Sequence, residues 1–246
     1  MSLLSCIKSD FYKLKHTKIG LIHILVPLLT AGAFLAYYEA SPWSDWNKVS
    51  TYLEFLGFAF PFIIGLMSAK IVEQEKEAGN FFQMLCSTKT RVYTYVSKLV
   101  ILFTLEVLSI SLAIMPFAFR FPKLTKMFYL QVLVIYFVSN LFLYMEHLLL
   151  SLKFGMGNSI GAGIIESLIA ALALTGLGDN IWFYLPCTWS ARLCSYLTYM
   201  EQHKNAYLLG MHQMEKCFII GSIYTIGLAV CGIVWFCNWQ GRHSVD

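Results

Sequence analysis

The sequence predicts an all-α integral membrane protein with six transmembrane helices, organised as one domain over residues 1–246. Of these residues 58% are hydrophobic and 13% are charged, whereas soluble domains carry about 25% charged residues. A helix needs about 20 apolar residues to cross the hydrocarbon core of a bilayer. Such runs occur at about 19–38, 53–70, 98–118, 127–150, 159–176 and 217–237.

Positive charges predict the orientation of the spans. With the N-terminus inside, eleven Lys and Arg residues fall on the cytoplasmic side and seven outside, which accounts for all 18. The inner set is Lys8, Lys13, Lys15, Lys18, Lys70, Lys76, Lys89, Arg91, Lys98, Lys153 and Arg242. The outer set is Lys48, Arg120, Lys123, Lys126, Arg192, Lys204 and Lys216. The positive-inside rule therefore places both termini in the cytoplasm.

Residues 1–18 alternate apolar and basic side chains and predict an interfacial helix on the inner leaflet, with the lipid membrane as its partner. A signal peptide is the competing interpretation, since Ala31-Gly32-Ala33 imitates a cleavage site. The length of the basic region and the five later spans argue against cleavage. Pro27 predicts a kink in the first span, and His23 should find a partner inside the bundle.

The segment 73–97 is the one long charged and amphipathic stretch between two spans. Glu73, Glu75 and Glu77 are too polar for hydrocarbon, so the second span should leave the membrane by about Lys70. Gly79 should break the helix. We expect a new short helix to begin with Asn80 as its N-cap and to show Phe81, Phe82, Met84 and Leu85 on one face. The alternative is an ordinary loop whose phenylalanines lie among lipid headgroups.

The order of these residues resembles the first cytoplasmic loop of ABC-2 type ABC-transporter permeases, where the loop forms a coupling helix on the ATPase subunit. Asn80 stands where that family usually has Thr or Ser. The resemblance implies ATPase-docking residues at Glu73, Glu75, Glu77, Gly79, Asn80, Phe81, Phe82, Leu85 and Arg91. It also implies that ATP and Mg are bound by the partner, because this chain has no GxxxxGK[ST] loop and no cofactor site of its own.

Four glutamates, Glu54, Glu106, Glu146 and Glu166, lie in or near the spans and should face the bundle, a cavity or a partner. Glu106 and Glu166 are deepest, so they are candidates for a polar path, with a packing role as the alternative. The seven cysteines show no metal-ligand spacing, and we predict no metal site. A disulfide among Cys187, Cys194 and Cys217 competes with simple packing thiols.

Residues 177–216 are predicted to form the extracellular region. Its aromatic block, Tyr184-Leu185-Pro186-Cys187-Thr188-Trp189-Ser190-Ala191-Arg192, resembles the outer region of lantibiotic-immunity ABC permeases. The resemblance implies a substrate region at Trp182, Tyr184, Pro186, Trp189 and Arg192. The alternative is that Trp and Tyr only favour the membrane interface.

The resemblance of the two segments implies a permease subunit, without a catalytic site of its own, in a bacterial plasma membrane. The resemblance implies a complex of two permeases, identical or different, with two ABC ATPase subunits, which expels a cationic peptide from the membrane; nucleic acid is not an expected partner. Two other classes stay open. One is a membrane protein that senses or sequesters a peptide, and the other is an intramembrane protease, for which Glu146-His147 is the nearest approach to a motif.

Overall fold

The computed structural model describes residues 2–15, 17–86, 91–203, 205 and 207–242. Two cations of the charge count, Lys89 and Lys204, lie outside these residues. The described chain is helical throughout, with nine α-helices and three short 3₁₀ helices. The α-helices are α1 Leu3–Lys15, α2 Ile19–Glu39, α3 Asp45–Glu77, α4 Phe82–Cys86, α5 Val92–Arg120, α6 Lys126–Phe154, α7 Met156–Ala173, α8 Trp189–Gln202 and α9 Tyr207–Asn238. The 3₁₀ helices are Gly176–Gly178, Trp182–Tyr184 and Pro186–Thr188.

Six of these helices are long and apolar enough to cross a membrane: α2, α3, α5, α6, α7 and α9. The prediction of an all-α, multi-pass membrane protein is thus confirmed. Several helices extend past the predicted spans because backbone hydrogen bonding continues where the apolar composition stops. The clearest case is α3, which begins at Asp45, where Ser44 Oγ accepts from Asn47 N at 3.3 Å, and continues to Glu77.

The bundle is built around α3, which packs against α6, α7 and α8, while α2 and α1 pack on α5. Close approach depends on glycine at two places. A Cβ at Gly57 would lie 2.5 Å from Ala191 Cα of α8, and one at Gly163 would lie 2.7 Å from the Pro61 carbonyl oxygen. Small residues at these contacts let the helix backbones meet.

Two helix-interior prolines leave backbone carbonyls without their usual N–H donors. Pro27 of α2 frees the carbonyl of His23, and Ser109 Oγ of α5 donates to it at 3.1 Å. Pro61 of α3 frees the carbonyl of Gly57, and Ser190 Oγ of α8 donates to it at 3.4 Å. An unsatisfied carbonyl costs several kcal/mol in hydrocarbon, so the neighbouring serines stabilise both helices near their prolines.

The two ends of the bundle differ in what they hold. One end, the termini side, carries α1, residues 78–86, the turn at Gly155 and the last described residues, 239–242. The other end, the opposite side, carries the connections 40–44 and 121–125 and the segment from Leu174 to Gln202. An even number of spans places both chain ends on one side.

Candidate functional site

A tight turn joins α3 to α4 at the termini side. Gly79, Asn80 and Phe81 follow one another with φ of 135°, 47° and 67°. The predicted helix break at Gly79 is confirmed. The predicted N-cap at Asn80 is wrong, because a capping residue takes extended backbone, whereas Asn80 is left-handed. Asn tolerates this conformation, but in Phe81 it stores strain of about 1–3 kcal/mol.

The turn separates an outward from an inward set of side chains. Phe82 is 69% exposed, and Glu77, Gly79, Asn80 and Cys86 are exposed beside it. We call Glu77, Gly79, Asn80 and Phe82 the docking knob. Phe81 is fully buried, so its predicted contact with a partner is wrong for this conformation. Leu85 is partly buried and packs on the core.

Under the knob lies a buried cluster of four charges from three helices. Lys98 Nζ of α5 donates to Asp10 Oδ1 of α1 at 2.7 Å and to Glu75 Oε1 of α3 at 2.5 Å. Lys13 Nζ of α1 donates to Glu75 Oε1 at 2.7 Å, and Ser97 Oγ donates to Asp10 Oδ2 at 2.5 Å. The side chains of Asp10, Glu75 and Lys98 are 9%, 2% and 5% exposed.

This cluster corrects the role of Glu75 as a docking residue, because its carboxylate is enclosed by two lysines and cannot reach a partner. Two acids and two bases balance, which is the condition under which charges are tolerated in an interior. Sequence reasoning treated Lys13 and Lys98 only as markers of orientation. The signal it missed is Asp10, an acid in an otherwise basic helix, together with Lys98 inside an apolar run.

The C-terminal residues close the other flank of the turn. Trp239 packs edge-on against the Phe81 ring, with centroids 5.1 Å apart. Arg242 Cζ lies 5.2 Å from the same ring centroid, and its Nη2 lies 3.9 Å from Glu73 Oε2. We call residues 239–242 the strap.

Arg91 also faces inward, which corrects its predicted docking role. Its Nη1 donates to the carbonyls of Cys237 at 3.2 Å and Trp239 at 2.7 Å. These carbonyls lie in the last turn of α9 and just after it, where a cation complements the helix dipole and satisfies unpaired acceptors. Of the predicted docking residues, the structure therefore exposes only those of the docking knob. Glu73 is partly exposed, and its carboxylate pairs with Lys76 Nζ at 2.9 Å.

A second polar network lies inside the spans. His147 of α6 shares a hydrogen bond of 2.9 Å from Nε2 to Glu166 Oε2 of α7, and one of 3.1 Å from Nδ1 to Ser159 Oγ. Ser159 Oγ also donates to the Gly65 carbonyl at 3.0 Å. The distances between Ser159, His147 and Glu166 are similar to those of a Ser-His-acid triad in a hydrolase. Ser159 and His147 are fully buried, however, so the arrangement offers no approach to a substrate.

Glu106 and Glu166 face the bundle, as predicted, but they meet different residues of α6. Glu106 is fully buried beside Asn140, and neither carboxylate oxygen has a hydrogen-bond partner within the described part of the chain. Glu166 pairs with His147. The predicted polar path through both glutamates stays a prediction.

The aromatic block on the opposite side is mostly interior. Trp182 and Trp189 are 1% and 2% exposed, so neither forms the open substrate surface that the sequence predicted. Trp182 stacks on Tyr196 at 5.5 Å, and Trp189 Nε1 donates to the Phe183 carbonyl at 3.0 Å. Rings of this size are buried because they fill the space where the 3₁₀ helices enter the bundle. Tyr184 is 52% exposed.

The other two residues of the predicted substrate region, Pro186 and Arg192, have structural contacts. Pro186 is half-buried and begins a 3₁₀ helix. Arg192 donates to the carbonyls of Ala173 and Thr175 at 2.5 and 2.8 Å and to Asp179 Oδ1 at 3.0 Å. Its charge therefore secures the end of α7. Only Tyr184 of the predicted substrate region is well exposed.

All seven cysteines lie within the described residues, and all are free thiols, so the disulfide alternative is not realised. Burial raises the pKa of Cys187 to about 12, which keeps its thiol protonated and unreactive. No three His, Cys, Asp or Glu side chains converge as metal ligands do in the part of the chain that the structure describes.

At the termini side, the docking knob is exposed on a turn that ion pairs and aromatic contacts hold in place. The chain matches no protein-family model, no curated protein and no solved structure.

Proposed function

We propose that this chain is the permease subunit of a bacterial ABC-type exporter and that its docking knob binds a separate ATPase subunit. The proposal places the protein in the plasma membrane with both termini in the cytoplasm and with a second permease, identical or different, in the complex. In this scheme, ATP and Mg bind the partner and this chain performs no chemistry. The exported substrate would be a lantibiotic or similar cationic peptide, so the protein would confer self-immunity.

The observation that carries the proposal is Phe82, whose ring is 69% exposed between two spans while its neighbour Phe81 is fully buried. Helix α4 has only five residues, of which Met84 is buried and Leu85 packs on the core, whereas the Phe82 ring points outward. Short helices with an apolar outward face fit hydrophobic grooves of partners. The buried charges beneath it give the knob a rigid base.

Movement of the knob would reach the spans directly. Glu75 joins α3 to α5 and α1 through Lys98 and Lys13, so a displacement of the turn displaces three helices together. In the proposed cycle, ATP binding closes the ATPase pair and shifts the spans between two packings.

The decisive experiment is Phe82→Ala. A buried aromatic anchor at an interface contributes about 2 kcal/mol or more, so association with the ATPase should weaken on the order of 30-fold. The variant should reach the membrane normally and lose protection against its peptide, measured as the minimum inhibitory concentration. Phe119→Ala is the matched control, since that ring is 78% exposed near the end of α5 on the opposite side.

Phe154→Ala tests whether the ATPase binds residues 153–158 instead of the docking knob. Phe154 is 54% exposed at the end of α6 on the termini side, next to the short turn before α7. If only Phe154→Ala releases the ATPase, docking belongs to residues 153–158. If neither variant does, the headgroup interpretation of the loop replaces docking. Protection that survives a catalytically dead ATPase would instead indicate sequestration of the peptide.

A second candidate function, intramembrane hydrolysis, has one observation in its favour, the Ser159–His147–Glu166 hydrogen-bond chain. Ser159→Ala removes the oxygen that would act as the nucleophile. Because it also removes the donor to the Gly65 carbonyl, the unfolding temperature of the variant is measured beside its protection. We expect protection to be retained in that variant. Loss of protection at normal membrane levels would favour the hydrolase.

A further inference from the structure

The strap packs against Phe81, the residue of the turn whose ring points inward. Phe81 adopts a left-handed backbone with φ of 67°, yet its ring is fully buried. Such strain persists only where the surroundings over-determine it. The surroundings here are Trp239 on one side of the ring and the Arg242 guanidinium over it.

Arg242 touches three separate pieces of the termini side. It stacks on Phe81, lies 3.9 Å from Glu73 at the end of α3, and fills the space at Gly155, where a Cβ would meet Nη1 at 2.5 Å. Gly155 has φ of 96° and is the single residue between α6 and α7. One side chain thus connects the end of α3, the turn and the α6–α7 hairpin.

The strap is itself anchored. Arg91, at the start of α5, donates to the carbonyls of Cys237 and Trp239, and Trp239 stacks on Trp235 at 5.6 Å. These contacts matter because α9 is the least buried span, with only 17% of its apolar window inside the bundle. The contacts of Arg91 and Trp239 therefore fix the C-terminal end of α9, a helix that is otherwise mostly exposed.

We infer that Trp239 and Arg242 are positioning residues that fix the docking knob, by holding the Phe81 ring inward so that Phe82 points outward. The partner surface is then centred on Glu77, Gly79, Asn80 and Phe82, and its geometry depends on the strap of the same chain. This inference deepens the proposed function and rests on it for the identity of the partner, but the positioning itself is a property of the chain alone.

Hydrogen exchange of the full chain in phospholipid nanodiscs tests the positioning without any ATPase. The reporters are the backbone amides of the turn, where Asn80 N donates to the Lys76 carbonyl at 2.7 Å and Leu85 N donates to the Phe81 carbonyl at 3.0 Å. Removing the Trp239 ring should raise exchange over residues 78–86 about tenfold or more, and Arg242→Ala should raise it by about threefold. Trp239→Phe, which keeps a ring, should retain most of the protection.

Two matched controls lie on the opposite side. Arg120 also lies over a phenylalanine ring, at 5.6 Å from Phe121, and Trp43 is an exposed tryptophan on the loop between α2 and α3. Arg120→Ala and Trp43→Ala should leave exchange over residues 78–86 unchanged.

Unchanged exchange in both Trp239→Ala and Arg242→Ala overturns the inference. If Trp239→Ala also accelerates exchange in α5 and α6, the variant has unfolded, and Arg242→Ala and Trp239→Phe then decide the matter. Failure of the parent chain to bind an ATPase would overturn the proposed function and leave the exchange result standing. Loss of ATPase binding in Arg242→Ala, with Phe82 intact, is the result expected if both hold.

Discussion

The termini side and the opposite side of the bundle are stabilised by different means. At the termini side, Lys98, Asp10 and Glu75 bury full charges, Arg91 binds the C-terminal strap, and Arg242 of the strap lies over Phe81 of the turn. At the opposite side, neutral aromatic rings fill the interior, as where Tyr52 stacks on Phe117 at 3.7 Å. Helices α3 and α5 reach both sides.

The contrast shows which side is more sensitive to a small displacement of its helices. Aromatic packing is stable over a range of small displacements because it has many weak contacts. A buried charge cluster has a few strong contacts whose loss leaves unpaired charges, so its geometry is defined sharply. A change at one ion pair of the termini side therefore changes the energy of α1, α3 and α5 together.

The largest expected effect breaks the charge cluster. Lys98→Met should destabilise the protein by about 3–5 kcal/mol, because Asp10 loses its closest cation and Glu75 keeps only Lys13. Thermal unfolding in detergent measures the change. The matched control is Lys123→Met, which removes a lysine 3.3 Å from Asp45 with side chains 84% and 36% exposed, and which should cost less than about 1 kcal/mol. Equal shifts for the two lysines would contradict a buried cluster.

The next effect tests the aromatic side. Trp189→Ala should destabilise the protein by about 3 kcal/mol through the cavity it leaves. The loss should be nearly independent of salt concentration because no charge is removed, whereas the small cost of Lys123→Met, which breaks an exposed ion pair, should fall further at high salt. Unfolding curves at low and high salt provide the comparison. Trp43→Ala, where the ring is 45% exposed, should change little; a comparable loss there would mean that burial is not the cause.

A smaller effect concerns the serines that serve the proline-freed carbonyls. Ser190→Ala and Ser109→Ala should each cost about 1–3 kcal/mol, because each leaves a buried carbonyl unsatisfied. Unfolding temperature is the readout. Ser50→Ala is the control, since Ser50 donates to Glu54 Oε1 near the start of α3 in a part-buried setting. No difference between Ser190→Ala and this control would show that the Gly57 carbonyl finds another donor.

The smallest effect concerns thiol chemistry on the opposite side. With the pKa of Cys187 raised to about 12, its thiolate fraction near pH 8 is about one in ten thousand. Iodoacetamide should modify Cys86, which is exposed, and leave Cys187 unmodified, as read by mass spectrometry of the folded protein. A reductant should leave the unfolding temperature unchanged. Rapid labelling of Cys187 would show that the aromatic block opens.

The sequence predicted the number and approximate place of the spans, because apolar length is a local property that burial in lipid requires. It also predicted that Glu106 and Glu166 face the bundle. It could not predict that Glu75 and Phe81 turn inward while Glu77 and Phe82 turn outward, since that depends on contacts with Lys98 and Trp239, distant in the chain. Left-handed backbone at two consecutive non-glycine residues likewise follows from tertiary packing. Trp182 and Trp189 were misplaced because interfacial and buried tryptophans have the same sequence signal.

The length of α3 has a mechanical consequence. Its 33 residues extend over about 50 Å at 1.5 Å per residue, well beyond a hydrocarbon core of about 30 Å. The helix is clasped most closely at Gly57, against Ala191, which divides it into arms of about 18 Å toward Asp45 and about 30 Å toward Glu77. If α3 tilted as a rigid body about its contact at Gly57, a movement of about 3 Å at the Glu77 end would move the Asp45 end by about 2 Å in the opposite direction. The unequal arms would thus make any such displacement smaller and reversed at the opposite side.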